Sequence, residues 1–280
     1  MQLGELTLTS LNGGNFRLDG GAMHGVVPKT LWSKLVSCDD RNRVAYSTRC
    51  LLVEGAGHRT LIETGNGDKF PARLKDIYGI DHDRAVCDAL REVGLLPDSI
   101  DTVVLSHLHF DHSGGTTRKT ASGAVEPVFR RARHVVQARE WEDATHPHER
   151  NRASYLSENI LPLEPLLQQV EGEAEVAPGI TVLPTPGHTA GHQSVLIGRP
   201  GEPRVLFLGD VVPTTVHVRL PYVMAYDLEP ARTLETKRSL FARAIAEGWV
   251  VVWGHDLDHV AGRLAHDAQG QPVVAGYVEL

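Results

Sequence analysis

The sequence predicts an α/β protein in which helices cover sheets that are arranged in two halves. Short apolar runs typical of strands alternate with segments of helical periodicity, in the order strands, helices, strands, helices. No Gly/Ser linker, short-period repeat or low-complexity tract divides the 280 residues. An all-α or all-β fold is therefore not expected.

The first half of the chain is predicted to be rich in strands. The second and third of these strands are joined by Glu54-Gly55-Ala56-Gly57, which is typical of a hairpin. A helix is expected where Val86, Ala89, Leu90 and Val93 recur at helical spacing and Gly94 follows. The expected strands are residues 5–11, 44–53, 58–63 and 102–106, and the expected helix is 82–93.

The second half begins with a polar stretch, 139–170, that is expected to be helical in pieces because three prolines interrupt it. The clearest helix is 230–247, which opens at Pro230, places apolar residues on one face and stops at Gly248. The expected strands of this half are residues 180–183, 193–198, 204–209 and 249–253.

Composition restricts the classes of partner. The 28 Lys and Arg residues against 35 Asp and Glu give a formal charge of -7, which argues against nucleic acid and against an anionic membrane. No apolar stretch is long enough for a transmembrane helix, and residues 1–10 have no features of a signal peptide. Three cysteines without CxxC spacing fit free thiols in a reducing compartment, so we expect a cytoplasmic protein. The 15 histidines need another explanation.

The strongest signal is the segment HLHFDH at 107–112, which directly follows the apolar strand 102–105. In extended backbone His107 and His109 project to the same side, and Asp111 and His112 come after the chain can turn. A lone histidine is usually a satisfied structural residue, but four potential ligands in six residues favour a metal site. Imidazole and carboxylate without thiolate favour zinc, iron, manganese or similar ions.

Further ligands are expected at other strand ends. His188, Asp210 and His255 each follow a short apolar run and each has a glycine beside it. Side chains at strand ends converge on one edge of a sheet, and the glycines allow close approach of the backbone. Five histidines and two aspartates are enough for two metal ions.

This pattern resembles the metallo-β-lactamase superfamily along essentially the whole chain. HxHxDH at 107–112, PGH at 186–188, GD at 209–210 and GH at 254–255 occur in the order typical of the family. The resemblance implies one domain, residues 1–280, folded as an αββα sandwich of two mixed β-sheets flanked by helices. It also implies two divalent ions, with zinc the first expectation and iron, manganese or cobalt as alternatives. By position, one ion would bind His107, His109 and His188, the other Asp111, His112 and His255, and Asp210 would bridge them.

Four other segments look like the branch that contains the N-acyl-homoserine lactonases, the quorum-quenching enzymes: 18–29, 61–65, 152–156 and 187–194. That branch implies a small-molecule lactone as substrate, and the family suggests a homodimer. The chain departs from the branch at three positions. His24 stands where Phe is common, Glu63 where Asp is usual, and Pro213 where some lactonases have a Tyr three residues after the bridging Asp.

The expected reaction is opening of a lactone ring by attack of a hydroxide that bridges the two metals. Asp111 is the expected proton shuttle to the leaving alkoxide, and Asp210 is expected to be catalytically essential as the bridge. With Pro213 in place of the usual phenol, Tyr222 is the predicted donor to the substrate, with Tyr226 as the alternative.

Two groups of supporting residues complete the prediction. Met23, His24, Val26 and Phe110 are expected to line a pocket for an acyl chain. Glu63 and His192 are expected to orient the ligands by hydrogen bonding, since the seven ligand positions are already assigned.

Alternative functions remain open at this point. The same site could hydrolyse phosphotriesters, thioesters or other esters, because the metals would act in much the same way. A diiron oxygen- or NO-reducing protein is disfavoured, since such relatives typically carry Glu in place of the second histidine of the motif, here His109. A non-catalytic metal-binding protein is the remotest alternative.

Overall fold

The computed structural model describes residues 1–80 and 84–280. The strands, in chain order, are β1 (Gln2–Leu3), β2 (Leu6–Asp19), β3 (Arg43–Gly55), β4 (His58–Ile62), β5 (Thr102–Val104), β6 (Thr117–Lys119), β7 (Val125–Pro127), β8 (Arg133–Gln137), β9 (Leu167–Val170), β10 (Ala174–Ala177), β11 (Ile180–Pro184), β12 (Gln193–Ile197), β13 (Val205–Phe207), β14 (Val250–Val252), β15 (Ala261–His266) and β16 (Pro272–Val278). The α-helices are α1 (Gly20–His24), α2 (Lys29–Trp32), α3 (Ala72–Ile77), α4 (Val86–Glu92), α5 (Phe110–Ser113), α6 (Ala138–Thr145), α7 (Ser157–Ile160) and α8 (Pro230–Ala246). Short 3₁₀ turns lie at Pro97–Ser99, Gly114–Thr116, Leu161–Leu166, Gly209–Val211 and Thr215–Val218.

The described residues form two seven-stranded mixed sheets, one from each half of the chain. The first has the order β1-β2-β3-β4-β5-β8-β9, and the second runs from β10 to β16 in sequence order. Parallel pairing joins β4 to β5, β5 to β8 and β8 to β9 in the first sheet, and β13 to β14 in the second. A small two-stranded sheet, β6-β7, stands apart.

Alternating side chains along the strands build a four-layer sandwich. In β5, Val104 packs between the two sheets, whereas Val103 faces the helical layer that contains α4. In β13, Phe207 packs between the sheets, whereas Leu206 faces α8 and its Phe241. The layers are therefore helix, sheet, sheet and helix, and the predicted αββα sandwich is confirmed.

The predicted strands are present with different lengths, but β1, β6 to β10, β15 and β16 were not predicted, and β9 lies in the stretch that was expected to be helical. Strand β2 runs to Asp19 instead of ending near residue 11. Its pairing with β3 shifts register between Asn12 and Asn15, and this bulge accommodates Gly13 and Gly14 without ending the strand. Helix α4 begins at Val86, and residues 82–83 of the predicted helix lie outside the described residues. Helix α8 matches its prediction closely. No described helix combines the length and the apolar character that crossing a lipid bilayer requires.

Candidate metal centre

The ligand residues lie where strands of both sheets end at one edge of the sandwich. Strand β5 ends at Val104, and an irregular segment carries His107 and His109 to the start of α5. Helix α5 begins at Phe110 and places Asp111 and His112 in its first turn.

The second sheet supplies the remaining candidates. Asp210 follows β13, His255 follows β14, and His188 lies in the loop between β11 and β12. Gly209, next to Asp210, has a φ of 62°, a conformation that L side chains rarely adopt. A Cβ at that position would lie 2.6 Å from Nε2 of His192, so the close approach requires glycine.

Three histidines form the first group of donors, which we call the three-histidine pocket: His107, His109 and His188. Their donor atoms lie within 4.8 Å of one another, and all three residues are buried. Nε2 of His188 is 3.1 Å from Nδ1 of His109. Nε2 of His107 and Nε2 of His109 are buried without a hydrogen-bond partner among the described residues. Buried polar atoms without partners are costly, so these atoms fit ligands of a cation.

A second group of donors forms what we call the mixed pocket: Asp111, His112, Asp210 and His255. These donor atoms also lie within 4.8 Å of one another. Nε2 of His255 is 3.0 Å from Oδ1 of Asp210, and Nε2 of His112 is 3.3 Å from the same oxygen. Oδ2 of Asp111 lies 3.4 Å from Nε2 of His255.

Asp210 faces both pockets. Its Oδ1 points to the imidazoles of the mixed pocket, while Oδ2 lies 3.4 Å from Nε2 of His188 in the three-histidine pocket. One carboxylate with an oxygen on each side is the geometry that a bridging ligand needs. The donor set contains imidazole and carboxylate but no thiolate, which suits zinc, iron or manganese.

The two pockets differ in electrostatics. Burial lowers the pKa of His107 and of His109 well below the usual value, so both imidazoles are neutral, as metal ligation requires. Burial alone would also lower the pKa of His112, but Asp210, Asp111 and Glu63 raise it well above its usual value. Burial alone would lower the pKa of His188 too, but Asp210 and Asp227 raise it, so negative charge lies beside His112 and beside His188.

In four of the candidate ligand histidines, the ring nitrogen that faces away from the two pockets has a polar partner. Nδ1 of His188 donates to Oδ1 of Asp227 at 2.8 Å, and Nδ1 of His255 donates to the carbonyl of Ser47 at 2.6 Å. Oε2 of Glu63 lies 3.2 Å from Nδ1 of His112. Nδ1 of His107 is 3.0 Å from the hydroxyl of Ser106. Such partners fix the tautomer and the orientation of ligand rings.

Glu63 and His192 lie where supporting residues were expected. Oε1 of Glu63 accepts the backbone N–H of Ser106 at 2.8 Å, so this side chain contacts both His112 and the ligand loop. Nε2 of His192 accepts the backbone N–H of Asp210 at 3.0 Å, and Nδ1 is 2.8 Å from the hydroxyl of Thr185. Burial lowers the pKa of His192 to about 3, which keeps the ring neutral and able to accept.

Asp227 is a site residue that sequence reasoning missed. It lies in the loop before α8, is 1 % exposed, and contacts His188 directly. The loop has no hydrophobic periodicity from which the position of Asp227 could be predicted. The only signal in the sequence is that Asp227 comes just before Pro230, where α8 begins.

A cavity of about 290 Å³ opens above both pockets. The residues at its floor are His109, Asp111, His188, Asp210 and His255. One part of its wall is apolar and is formed by Leu18, Met23, Phe110, Met224 and Leu228. Polar groups on the wall come from Tyr78, Arg150, Asn151, Ser154 and Tyr226. The cavity therefore combines an apolar wall with a few polar groups, as ligand sites commonly do.

Three residues predicted for substrate contact lie elsewhere. Val26 is 90 % exposed and does not line this cavity. The ring of His24 stacks on Trp32 at a centroid distance of 4.8 Å and is buried away from the cavity. Tyr222 is also buried, with its ring edge against His24 at 6.3 Å. The ring of His24 packs among Trp32, His217 and Tyr222 beside the cavity, and Val26 faces solvent, whereas Met23 and Phe110 do line the cavity.

Comparisons with known proteins find a family model and a curated relative that match the chain. The family model described as the metallo-beta-lactamase superfamily matches residues 43–255. An N-acyl homoserine lactonase from a Bacillus species is 36% identical over 184 residues, which is 65% of this chain and 66% of that protein. The alignment thus spans slightly less than two thirds of this curated relative.

Solved structures match over a larger share of the chain. A probable metal-dependent hydrolase from Staphylococcus aureus has a TM-score of 0.91 at 31% identity and covers 100% of this chain and 99% of its own. A variant of the Bacillus thuringiensis protein AiiA, solved with N-decanoyl-L-homoserine bound at its active site, has a TM-score of 0.69 at 26% identity. That match covers 92% of this chain and 95% of the other.

Proposed function

Because this chain belongs to the metallo-β-lactamase superfamily, we propose that it is a dinuclear metal-dependent hydrolase that opens the ring of N-acyl homoserine lactones. One observation carries the proposal. Two donor pockets that share Asp210 lie at the floor of a cavity with an apolar wall. The similarity to named N-acyl homoserine lactonases supports the choice of substrate.

We assign the ligands by pocket. His107, His109 and His188 hold one ion, Asp111, His112 and His255 hold the other, and Asp210 contacts both. We propose zinc as the resident metal, since a set of imidazoles and carboxylates suits it and zinc brings no redox chemistry. When bound there, two such ions would supply a hydroxide nucleophile near neutral pH and would polarise the carbonyl of the substrate.

Asp111 is the residue that we assign to proton transfer. It lies on the cavity floor, and its Oδ2 is 3.4 Å from Nε2 of His255 and 3.6 Å from Nε2 of His112. A lactone that opens leaves an alkoxide, which needs a proton. We propose that Oδ2 of Asp111 takes a proton from the attacking group and delivers it to the leaving ring oxygen.

The cavity wall determines how the substrate is held. The apolar side, which includes Met23, Phe110 and Met224, would accept the acyl chain. Tyr226 takes the place of Tyr222 as the proposed phenol donor, because Tyr226 lines the cavity and is 37% exposed. Burial raises the pKa of Tyr226, so its phenol remains protonated and able to donate.

Other expectations remain proposals. We propose that the whole chain acts as one domain, that it forms a homodimer as its family suggests, and that it binds neither nucleic acid nor membrane. A cytoplasmic location is consistent with Cys38, Cys50 and Cys87, all of which are free thiols.

A substrate panel tests the proposal. Purified protein loaded with zinc is assayed by kcat/KM on N-acyl homoserine lactones of several chain lengths, simple lactones, phosphotriesters and thioesters. We expect N-acyl homoserine lactones to be the best substrates and activity to disappear when a chelator removes the metal. A higher kcat/KM on phosphotriesters or thioesters would contradict the proposed substrate, and unchanged activity without metal would contradict the mechanism.

A further inference from the structure

Glu140, in helix α6, is a fully buried carboxylate that accepts three hydrogen bonds. Its Oε1 accepts the backbone N–H of Leu108 at 2.9 Å and the hydroxyl of Tyr155 at 3.0 Å. Its Oε2 accepts the hydroxyl of Thr189 at 2.6 Å. The backbone N–H and the two hydroxyls are all hydrogen-bond donors. An ionised Glu140 can therefore accept all three hydrogen bonds.

The three donors belong to the segments that build the three-histidine pocket. Leu108 lies between His107 and His109, and Thr189 directly follows His188. Tyr155 packs its ring against that of His109 at a centroid distance of 4.8 Å. A single side chain therefore connects the two loops that carry all three histidines of this pocket.

The packing around Glu140 leaves little freedom. A Cβ on Gly191 would collide with the backbone of Glu140, so the loop after His188 lies directly against helix α6. Because both the helix and the loop are fixed, loss of the carboxylate cannot be compensated by a small shift of the backbone.

The charge of Glu140 also lacks a basic partner. No Lys or Arg side chain in the described part of the chain forms an ion pair with it, although burial of a carboxylate is costly. Burial raises its pKa, while the three donors and the nearby His188 act in the opposite direction. The donors of Glu140 belong to the loops of the three-histidine pocket, where a bound cation would balance this negative charge.

We propose that Glu140 is a positioning residue for the three-histidine pocket, where it holds the two ligand loops at the separation that a cation needs and offsets the charge of that cation. The inference rests on the proposed metal centre but not on the identity of the substrate. The three hydrogen bonds of Glu140 go to Leu108, Tyr155 and Thr189, none of which lines the cavity.

Metal titration of three variants tests the inference. Metal-free protein is titrated with cobalt(II), and the absorption spectrum and the affinity for each ion are recorded. Glu140→Gln should keep one tight ion and bind the other about 10–100-fold more weakly, the range typical for loss of an outer hydrogen-bond partner of a ligand. Glu63→Gln should weaken the opposite ion, since Glu63 contacts His112 of the mixed pocket. The spectra of the two singly loaded variants should therefore differ.

Glu142→Gln is the matched control, because Glu142 lies on the same helix with its side chain 68% exposed. It should bind both ions like the wild type. Wild-type affinity for both ions in Glu140→Gln, accompanied only by a lower melting temperature of the metal-free protein, would overturn the proposal. Such a result would assign Glu140 a role in folding alone.

Tyr155→Phe provides a milder test if Glu140→Gln does not fold. It removes one hydrogen bond to Glu140 and keeps the ring against His109. We expect it to weaken the same ion by a smaller factor, and unchanged binding of both ions would overturn the proposal. If the wild type binds two ions and these shifts occur without lactone hydrolysis, the proposed substrate fails and the role of Glu140 stands.

Discussion

The two metal pockets obtain their negative charge in different ways. The mixed pocket contains two carboxylates, Asp111 and Asp210, among its own donors. The three-histidine pocket shares only Asp210, and further carboxylates, Asp227 and Glu140, lie behind its histidines. The comparison teaches that a pocket built only of imidazoles has its buried acids behind the rings and loops, while the mixed pocket has acids among its own donors.

Removal of the shared ligand should have the largest effect. Asp210→Asn leaves both pockets without their common carboxylate, so we expect both ions to bind more weakly. The loss should exceed the about 10–100-fold that follows removal of an outer partner, and hydrolysis should fall with it. Metal content per chain, measured after gel filtration, checks the expectation. Retention of two ions would show that the pockets are independent of Asp210.

Removal of an outer acid should separate the two pockets. In Asp227→Asn, the ring of His188 loses its carboxylate partner at 2.8 Å. The ion of the three-histidine pocket should then bind about 10–100-fold more weakly, while the ion of the mixed pocket is unaffected. A competition titration with a chelating dye measures both constants. An equal loss at both pockets would break the distinction between them.

A smaller effect on activity is expected when a residue of the cavity wall that would contact the substrate is changed. Tyr226→Phe removes one phenol donor from the cavity wall and should lower kcat/KM for an N-acyl homoserine lactone by roughly tenfold, the equivalent of one hydrogen bond. Tyr222→Phe, in the cluster around His24, is the control and should stay within about twofold of the wild type. The reverse order of effects would contradict the assignment of Tyr226 as the donor to the substrate.

The smallest effect concerns a buried histidine outside both pockets. Burial lowers the pKa of His134 from 6.5 to about 4, so the unfolded chain binds a proton that the folded chain does not. This difference lowers stability as the pH falls from about 6.5 towards 4. Between pH 7 and pH 6 the unfolding free energy should drop by about 0.7 kcal/mol more in the wild type than in His134→Leu. Denaturant melts at the two pH values check this, and equal drops would contradict it.

The candidate ligands could be predicted from the sequence more readily than the residues that support them, because most of the ligands follow strands. His107, His188, Asp210 and His255 follow apolar strands, and strand ends of both sheets meet at one edge of the sandwich. Their convergence follows from the position of each residue after a strand, and His188, Asp210 and His255 also have a glycine nearby that allows close approach of the backbone. The alternation of apolar runs and helical segments predicted an α/β fold with sheets in two halves, whereas the αββα order came from the resemblance to the family.

The supporting residues and the cavity wall could not be predicted in this way. Asp227 lies in a loop, and Glu140 lies in a polar helix whose buried position no apolar stripe reveals. Tyr222 and His24 were placed wrongly because contacts between loops depend on tertiary packing, which local spacing does not encode. Strand β2 was predicted too short because its bulge resembles a turn in sequence.

The most direct test of the account is the rate of ring opening of an N-acyl homoserine lactone as zinc is added stepwise to metal-free protein. We expect negligible hydrolysis without zinc and a rise that reaches its plateau at two equivalents per chain, since both pockets contribute to the reaction. Full hydrolysis before any zinc is added, or no hydrolysis with both pockets loaded, would contradict it.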